Sequence, residues 1–335
     1  MKRPIIFLYA GQGSMIYQMG LELYQRLPRF AEHLDGVDKQ IVATGGPSII
    51  DAVYKSGRGK EQVFDNIVET HPAIYGFEVA ITRTLHDYGI MPDLTVGVSL
   101  GSFAAAQCAG FIAPNYACAG VVAQGLYFQQ RQLNRQDSGQ MIAVMASEQM
   151  IEQAMIEHFA NRAWQVYQIA SFNGPTHHVI SVQAENLDKV KYALKQQQIR
   201  YQALAVNFPF HTSWMENTPL KLALPFKQGH IPQLCTANVQ LMTEMADNYL
   251  FTAIQKPIRW TQSVSLLENK LNANGEITTA QWVDLSPCGT LAALLNQHLR
   301  HHQSAISIDN IHSVFSLFGG EQQRFAQIID DLLSG

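Results

Sequence analysis

The residues around Ser99 constrain the fold of this chain more than any other segment. The apolar run LTVGV at residues 94–98 is typical of a buried parallel strand, and the Ala-rich segment at residues 102–109 is typical of a helix. Between them, GVSLG at residues 97–101 fits the G-x-S-x-G pattern, in which a strand turns sharply into a helix with the serine at the apex. The segment therefore requires a strand and a helix packed in one α/β unit.

The same order of strand, turn and helix opens the chain. The apolar run from Pro4 to Ala10 predicts a buried strand, and the Gly-rich turn GQGS at residues 11–14 follows it. A second amphipathic helix is predicted over Ile74 to Tyr88. Alternating strands and helices of this kind favour a mostly parallel sheet with helices packed on it.

Residues 141–207 have a different pattern of predicted elements. Short strands and helices follow one another in the order βαββαβ. This is the ferredoxin-like pattern. The predicted strands and helical segments are Met141–Ala146, a helix capped by Ser147, Val166–Phe172, His178–Val182, a helix through Leu187–Leu194, and Tyr201–Val206. We therefore predict an α/β protein with an α/β-hydrolase-like large subdomain (residues 1–137 and 207–335) and an inserted ferredoxin-like small subdomain (residues 138–206).

Composition excludes several classes of protein. The net charge of −4 leaves no basic excess for nucleic acid or anionic lipid. No apolar run reaches the roughly 18–20 residues that span a bilayer. Four scattered cysteines show neither metal spacing nor a disulfide framework: Cys108, Cys118, Cys235 and Cys288. We expect a reduced cytoplasmic protein with no metal, no membrane contact and no nucleic-acid partner.

A serine nucleophile needs a base, and the sequence contains 12 histidines. His211 is the best candidate because it lies where the inserted subdomain returns to the large one, and clefts between domains are common site locations. No acidic residue adjoins these motifs, so a backbone carbonyl could orient His211. His177 and His178 open a predicted strand, and we expect both to be exposed. From these residues alone, the turn at Ser99 could equally be a Gly-rich packing turn.

Two backbone segments could stabilise an oxyanion at Ser99. The N–H of Leu100 follows the serine and starts a helix, whose positive end favours negative charge. The turn at residues 11–14 could supply a second N–H. The alternative interpretation of that turn, a phosphate loop, is disfavoured because it lacks both the G-x-G-x-x-G pattern and the Walker lysine.

Taken in order along nearly the whole chain, seven segments resemble the malonyl-CoA:acyl carrier protein transacylase family, which includes the acyltransferases of polyketide synthases. The second segment reads Thr-His-Pro-Ala where the family usually has Thr-Gln-Pro-Ala. The segments are Gly11–Ser14, Thr70–Ala73, the Ser99 turn, Phe172–Pro175, Phe210–Met215, Lys256–Trp260 and Ser286–Leu291.

This resemblance implies roles for individual residues. Ser99 would attack an acyl thioester and become acylated, and His211 would take its proton. The backbone N–H groups of Gln12 and Leu100 would form the oxyanion hole, and the carbonyl near Ala253 would orient His211. The acyl group would arrive on the phosphopantetheine of an acyl carrier protein or coenzyme A, with no further cofactor, and the protein would be a monomer.

The resemblance also implies a substrate pocket at Val98, Gln124, Phe210, Asn173 and His71. Family members that use malonyl groups usually have His at the position of Val98 and Arg at that of Gln124. Since glutamine cannot form a charged bidentate pair with a carboxylate, malonyl binding should weaken by about 2–5 kcal/mol. A shift of register that brings Arg131 or Arg135 to this position would restore malonyl binding, but the surrounding segments align without a gap.

This Gln-for-Arg form resembles the acyltransferase-like acyl hydrolases of trans-acyltransferase polyketide synthases. This resemblance implies that the protein cleaves stalled acyl groups from acyl carrier proteins by hydrolysis. One alternative is an acyltransferase that loads a non-carboxylated acyl group from coenzyme A or a carrier protein. The other is a non-catalytic subunit that binds carrier proteins.

Overall fold

The computed structural model describes residues 3–133, 138–215, 224–302, 304–315 and 319–334, and these form two β-sheets with helices packed on both. Arg135 and the predicted subdomain boundary at residue 137 lie outside the described residues. The strands are β1 Ile5–Tyr9, β2 Leu94–Gly97, β3 Gly139–Met145, β4 Tyr167–Gly174, β5 His177–Gln183, β6 Arg200–Ala203, β7 Gln233–Cys235, β8 Gln240–Met242, β9 Gln281–Asp284 and β10 Ile311–Ser313.

The α-helices pack against the two sheets. They are α1 Leu21–Arg26, α2 Pro28–Ala43, α3 Ile67–Asp87, α4 Ser102–Cys108, α5 Pro114–Leu133, α6 Glu148–Phe159, α7 Ala163–Val166, α8 Leu187–Gln196, α9 Tyr249–Thr252, α10 Trp260–Ala273, α11 Thr290–His301 and α12 Glu321–Leu333.

The larger sheet has the strand order β10-β9-β1-β2-β7-β8. Its neighbouring strands are parallel except at the edge, where β8 runs antiparallel to β7. The first strand lies near the centre, and its apolar side chains face helices on both sides. The predicted α/β architecture is confirmed, and the carboxyl ends of β1, β2 and β9 meet at one edge of this sheet.

The smaller sheet has the order β6-β3-β5-β4, with all neighbours antiparallel. Counted along the chain, its strands lie in the order fourth, first, third, second, which confirms the ferredoxin-like subdomain. Because strand side chains alternate between faces, Ile142 and Ile180 pack against α6 and α8 while their neighbours Met141 and Val179 face the large subdomain. The face that carries Met141 and Val179 is therefore not covered by α6 and α8 and can cover a site on the large subdomain.

The helix predicted to begin at Ile74 begins at Ile67, so the predicted start is wrong. Proline is favoured in the first turn of a helix, whereas Pro72 lies five residues beyond the observed start of α3. Pro72 has no N–H and cannot complete the hydrogen bond to the carbonyl four residues earlier. Most residues of α3 are buried, and this packing maintains the helix through Pro72.

The cap of α6 tests the predicted start of the small subdomain's first helix. The Oγ of Ser147 accepts a hydrogen bond from the N–H of Met150 at 3.3 Å. Ser147→Ala should lower the free energy of unfolding by about 1 kcal/mol in urea titrations, because an N-terminal N–H loses its acceptor. Ser147→Asp keeps an acceptor and should retain stability; an equal loss in both variants would contradict the capping role.

Candidate active site

The turn from β2 into α4 holds Ser99 at its apex. The φ angle of Ser99 is +55°, a left-handed conformation that is uncommon outside glycine and concentrates at functional sites. A Cβ on Gly101 would lie 2.4 Å from the carbonyl oxygen of Tyr9, and one on Gly97 would lie 2.6 Å from the Cα of Ser102. Both flanking glycines are therefore required by the close packing of the turn against β1 and α4.

Ser99 and His211 form a dyad. The Oγ of Ser99 lies 2.9 Å from the Nε2 of His211, and the Nδ1 of His211 donates to the carbonyl oxygen of Lys256 at 2.9 Å. Because Nδ1 carries the hydrogen, Nε2 offers its lone pair to the serine hydroxyl. The structure brings together the two residues on which the sequence analysis placed the chemistry, across 112 positions of chain.

The carbonyl that orients His211 is that of Lys256, and the prediction of Ala253 is wrong. Ala253 caps α9, and its own N–H bonds the carbonyl of Tyr249. The chain then turns, so that Ile254 accepts from the backbone N–H of His211 at 2.8 Å and Lys256 accepts from the ring. The path of this turn depends on tertiary packing, which the sequence motif does not encode.

Burial controls the charge of the base. His211 is 2% exposed, and burial lowers the pKa of its imidazole to about 4, although the bond to Lys256 favours the charged form. The ring is therefore neutral at pH 7, which is the state that can take a proton from Ser99.

The first turn of the chain lies against the Ser99 turn. A Cβ on Gly11 would lie 2.8 Å from the Cβ of Ser99 and 3.1 Å from the backbone nitrogen of Leu100. The side chain of Gln12 donates to the Oγ1 of Thr70 at 3.1 Å and so ties this turn to α3. The two backbone segments proposed for the oxyanion hole are adjacent; the roles of the Gln12 and Leu100 N–H groups stay a prediction.

A cavity of about 240 Å³ lies between the Ser99 turn and the small sheet. Val98, Asn173 and Phe210, which the sequence analysis assigned to the pocket, line it together with both members of the dyad. Its other lining residues are Ala10, Gly11, Gln12, Gly13, Met141, Ala143, Ser171, His177, Val179, Leu204, Ile258, Thr290, Leu291 and Leu294. No lysine, arginine, aspartate or glutamate is among these lining residues.

Gln124 and His71 are not among the described residues that line the cavity. Both are buried, and the amide atoms of Gln124 have no hydrogen-bond partner among the described residues. Burial lowers the pKa of His71 to about 3, so this ring is neutral. Arg131, the alternative cation, donates to the hydroxyl of Tyr127 at 3.2 Å, and it does not line the cavity either. The pocket roles of Gln124 and His71 stay predictions.

Two histidines that we expected to be exposed are not. His178 is buried and its Nδ1 donates to the carbonyl of Ala146 at 2.9 Å. His177 is half-buried and lines the cavity, a position that the sequence analysis missed. The alternation of side chains along the predicted strand could have indicated it, because His177 shares the face of Val179 rather than that of the core residue Ile180.

A buried acid supports the cavity without joining the dyad. Asp284, at the end of β9, accepts hydrogen bonds from the N–H groups of Ser286 and Ala292 at 2.8 and 2.7 Å. Burial raises the pKa of its carboxyl to about 6. These bonds fix the start of α11, whose residues Leu291 and Leu294 line the cavity.

Within the residues that the structure describes, no helix has the length and apolar character needed to cross a membrane. The same residues contain no group of three or more histidine, cysteine, aspartate or glutamate side chains placed to hold a metal ion.

The fold and the site agree with a known family. A family model described as an acyl transferase domain matches residues 6–317. The chain belongs to the acyl transferase domain family.

Named relatives refine the comparison. The polyketide biosynthesis acyltransferase homolog BaeD of Bacillus velezensis is 29% identical over 341 residues, which cover 100% of this chain and 98% of that protein. The polyketide biosynthesis acyltransferase homolog PksD of Bacillus subtilis is 30% identical over 302 residues, which cover 89% of this chain and 88% of that protein. A malonyl-transacylase in complex with a type II polyketide synthase acyl carrier protein superposes with a TM-score of 0.76 at 21% identity, over 99% of this chain and 100% of that one. This last similarity shows a shared fold.

The low pKa of His211 predicts the pH dependence of Ser99 acylation. Because the neutral ring is the active form and its pKa is about 4, the acylation rate should be flat from about pH 6 to 8 and fall only as pH approaches 4. Intact-mass measurements of acylated protein over time, with circular dichroism to confirm folding at each pH, would test this. A midpoint near the ordinary histidine value of about 6.5 would contradict it.

The contact at Gly11 predicts a second effect. Gly11→Ala should slow Ser99 acylation by about 100-fold or more, because the added methyl group pushes the first turn away from the Leu100 N–H. Gly36→Ala is the matched control: it adds the same methyl group on the exposed side of α2, where nothing lies within 4 Å. Equal acylation rates in the two folded variants would refute the proposed apposition of the turns.

Proposed function

We propose that this protein hydrolyses acyl thioesters carried on an acyl carrier protein in polyketide biosynthesis, with Ser99 as nucleophile, and so clears non-carboxylated acyl groups. The family membership and the names of the Bacillus relatives support the acyl chemistry and the pathway class. The complex of a structural neighbour with a carrier protein supports the partner. A monomer in the cytoplasm is part of the same proposal.

The apolar cavity beside Ser99 is the observation that carries the choice of substrate. A malonyl carboxylate in this cavity would find no lysine or arginine among the lining residues. A buried carboxylate without a cationic partner is strongly disfavoured, whereas an alkyl chain gains from contact with Val98, Met141 and Phe210. Acetyl and longer uncharged acyl groups fit this lining.

The first half of the reaction forms an acyl-enzyme. Ser99 Oγ attacks the thioester carbonyl carbon while His211 Nε2 takes its proton, and the carbonyl electrons move onto oxygen. The N–H groups of Gln12 and Leu100 donate to that oxygen. When the carbonyl re-forms, the carbon–sulfur bond breaks and the thiol leaves with the proton from His211. An ester on Ser99 remains.

Water completes the reaction in the second half. His211 is neutral again and takes a proton from a water molecule, while the oxygen of that water attacks the ester carbon. The carbon–oxygen bond to Ser99 breaks, and the serine oxygen recovers its proton from His211. The products are the free acid and the carrier protein with its thiol restored.

Transfer to a second thiol is the other candidate, and the family model and the relatives' names as acyltransferase homologs favour it. The first half-reaction is the same in both. In transfer, the thiol of a second carrier protein or of coenzyme A replaces water as the group that His211 deprotonates.

The two candidates separate when purified protein is given acetyl- or butyryl-carrier protein and no acceptor thiol. Hydrolysis predicts free acid and holo-carrier with repeated turnover, followed by mass spectrometry of the carrier. A Ser99 ester that persists until a second carrier protein or coenzyme A is added would refute hydrolysis and support transfer. Ser99→Ala should abolish both activities. If the wild-type protein turns over no thioester and Ser99→Ala leaves carrier-protein binding unchanged, the protein acts as a non-catalytic binding subunit.

The missing cation predicts discrimination against malonyl groups. With acetyl- and malonyl-carrier protein compared side by side, kcat/KM for malonyl should be lower by roughly 30-fold or more, since about 2 kcal/mol or more of pairing energy is absent. The ratio of kcat/KM for malonyl to kcat/KM for acetyl should not rise at low salt. Low salt strengthens the attraction between a carboxylate and a cation, and no lysine or arginine lines the cavity. Equal kcat/KM values would contradict the assignment of the cavity to non-carboxylated chains.

A further inference from the structure

The wall of the cavity that the small sheet supplies is apolar except at one end. Met141, Ala143 and Val179 cover its middle. At the tip of the β4–β5 hairpin, Asn173 and His177 bring polar groups into the same lining.

The ring of His177 is held in one orientation by the large subdomain. Its Nδ1 lies 2.9 Å from the Oε1 of Gln297 on α11. Because this oxygen only accepts, Nδ1 carries the hydrogen and the Nε2 of a neutral ring is an acceptor. Burial lowers the pKa of His177, which favours that neutral form. No described residue donates to Nε2.

Asn173 offers the complementary group. Its Oδ1 accepts a hydrogen bond from the Oγ of Ser171 at 2.6 Å, while its Nδ2 has no acceptor among the described residues. One lone pair of this oxygen is thus used by Ser171, which orients the amide, and the amide N–H groups are available to donate.

A β-bulge sets the position of Asn173. In the β4–β5 ladder, Phe172 pairs with His178 and Gly174 pairs with His177, so Asn173 is an extra residue without a partner on β5. Bulges of this kind redirect side chains and occur next to active sites. The hairpin tip therefore presents one acceptor, His177 Nε2, and one donor, Asn173 Nδ2, at the edge of an apolar cavity.

We propose that this pair selects acyl chains that carry a hydroxyl group. A hydroxyl group can donate to His177 Nε2 and accept from Asn173 Nδ2 at the same time, which a keto oxygen cannot do because it has no hydrogen. An unsubstituted chain would desolvate both polar groups and pair neither, and sites built to bind a hydroxyl group reject analogues that lack it. The inference rests on the proposed acyl-thioester chemistry at Ser99, but it is independent of whether water or a thiol takes the acyl group afterwards.

The test compares matched chains on one carrier protein: hexanoyl and its 3-, 4- and 5-hydroxy derivatives. The rate of Ser99 acylation, read by intact mass, should be about tenfold or more higher for at least one hydroxylated chain than for hexanoyl. His177→Leu should reduce that ratio to about one, by removing the acceptor while keeping an apolar side chain. Gln297→Leu leaves His177 in place but removes the hydrogen-bond partner of its Nδ1, so it should reduce the ratio in part. This variant provides the test if His177→Leu does not fold.

Thr290→Val is the matched control, because it removes a hydroxyl group from the same lining and should keep the ratio whatever it does to the overall rate. The proposal is overturned if no hydroxylated chain exceeds hexanoyl, or if the ratio survives His177→Leu. It is also overturned if His177→Leu slows every chain equally, since His177 would then contact the pantetheine arm that all substrates share. If no thioester acylates Ser99 at all, the proposed function itself fails, which is a different outcome from acylation without preference.

Discussion

The hydrogen bond from His211 Nδ1 to the carbonyl of Lys256 is the interaction on which the rest of the site depends. It sets the tautomer of the ring, and the tautomer decides that Nε2 accepts from Ser99. A carbonyl carries no net charge, so it orients the ring without holding a proton on it as a carboxylate would. Burial outweighs the opposing effect of this hydrogen bond on the pKa and keeps the His211 ring neutral well below pH 7.

The segment that supplies this carbonyl also joins the two subdomains. Two residues beyond Lys256, Ile258 exchanges backbone hydrogen bonds of 2.8 Å with Ala170 and Phe172 of the small sheet. The next residue, Arg259, donates its N–H to the carbonyl of Thr236 in the large subdomain at 2.9 Å. The His211 ring and the cavity wall are therefore positioned by one short stretch of backbone, which fixes the ring relative to the cavity.

The large subdomain and the small sheet supply different parts of the cavity. The large subdomain supplies Ser99, the adjoining turns and the start of α11, where rigid strand ends and Asp284 hold the backbone in place. The small sheet supplies side chains from one of its two faces, and these side chains line the cavity.

The sequence by itself determined most of the secondary-structure elements and indicated Ser99 and His211, the two residues that the proposed chemistry uses. The apolar strand, the flanking glycines and the Ala-rich helix require a sharp turn at Ser99, and the βαββαβ order defines the small subdomain, because these are local patterns of side-chain periodicity and backbone freedom. His211 needed more than local pattern: its place at the return from the insertion and the resemblance of its motif identified it. Only the tertiary structure decided that Lys256 rather than Ala253 orients the ring, that Gln124 and His71 stay outside the cavity lining, and that His177 enters it. Each of these depends on which backbone segments meet across the two subdomains, and contacts between residues distant in the chain leave no periodic signal in it.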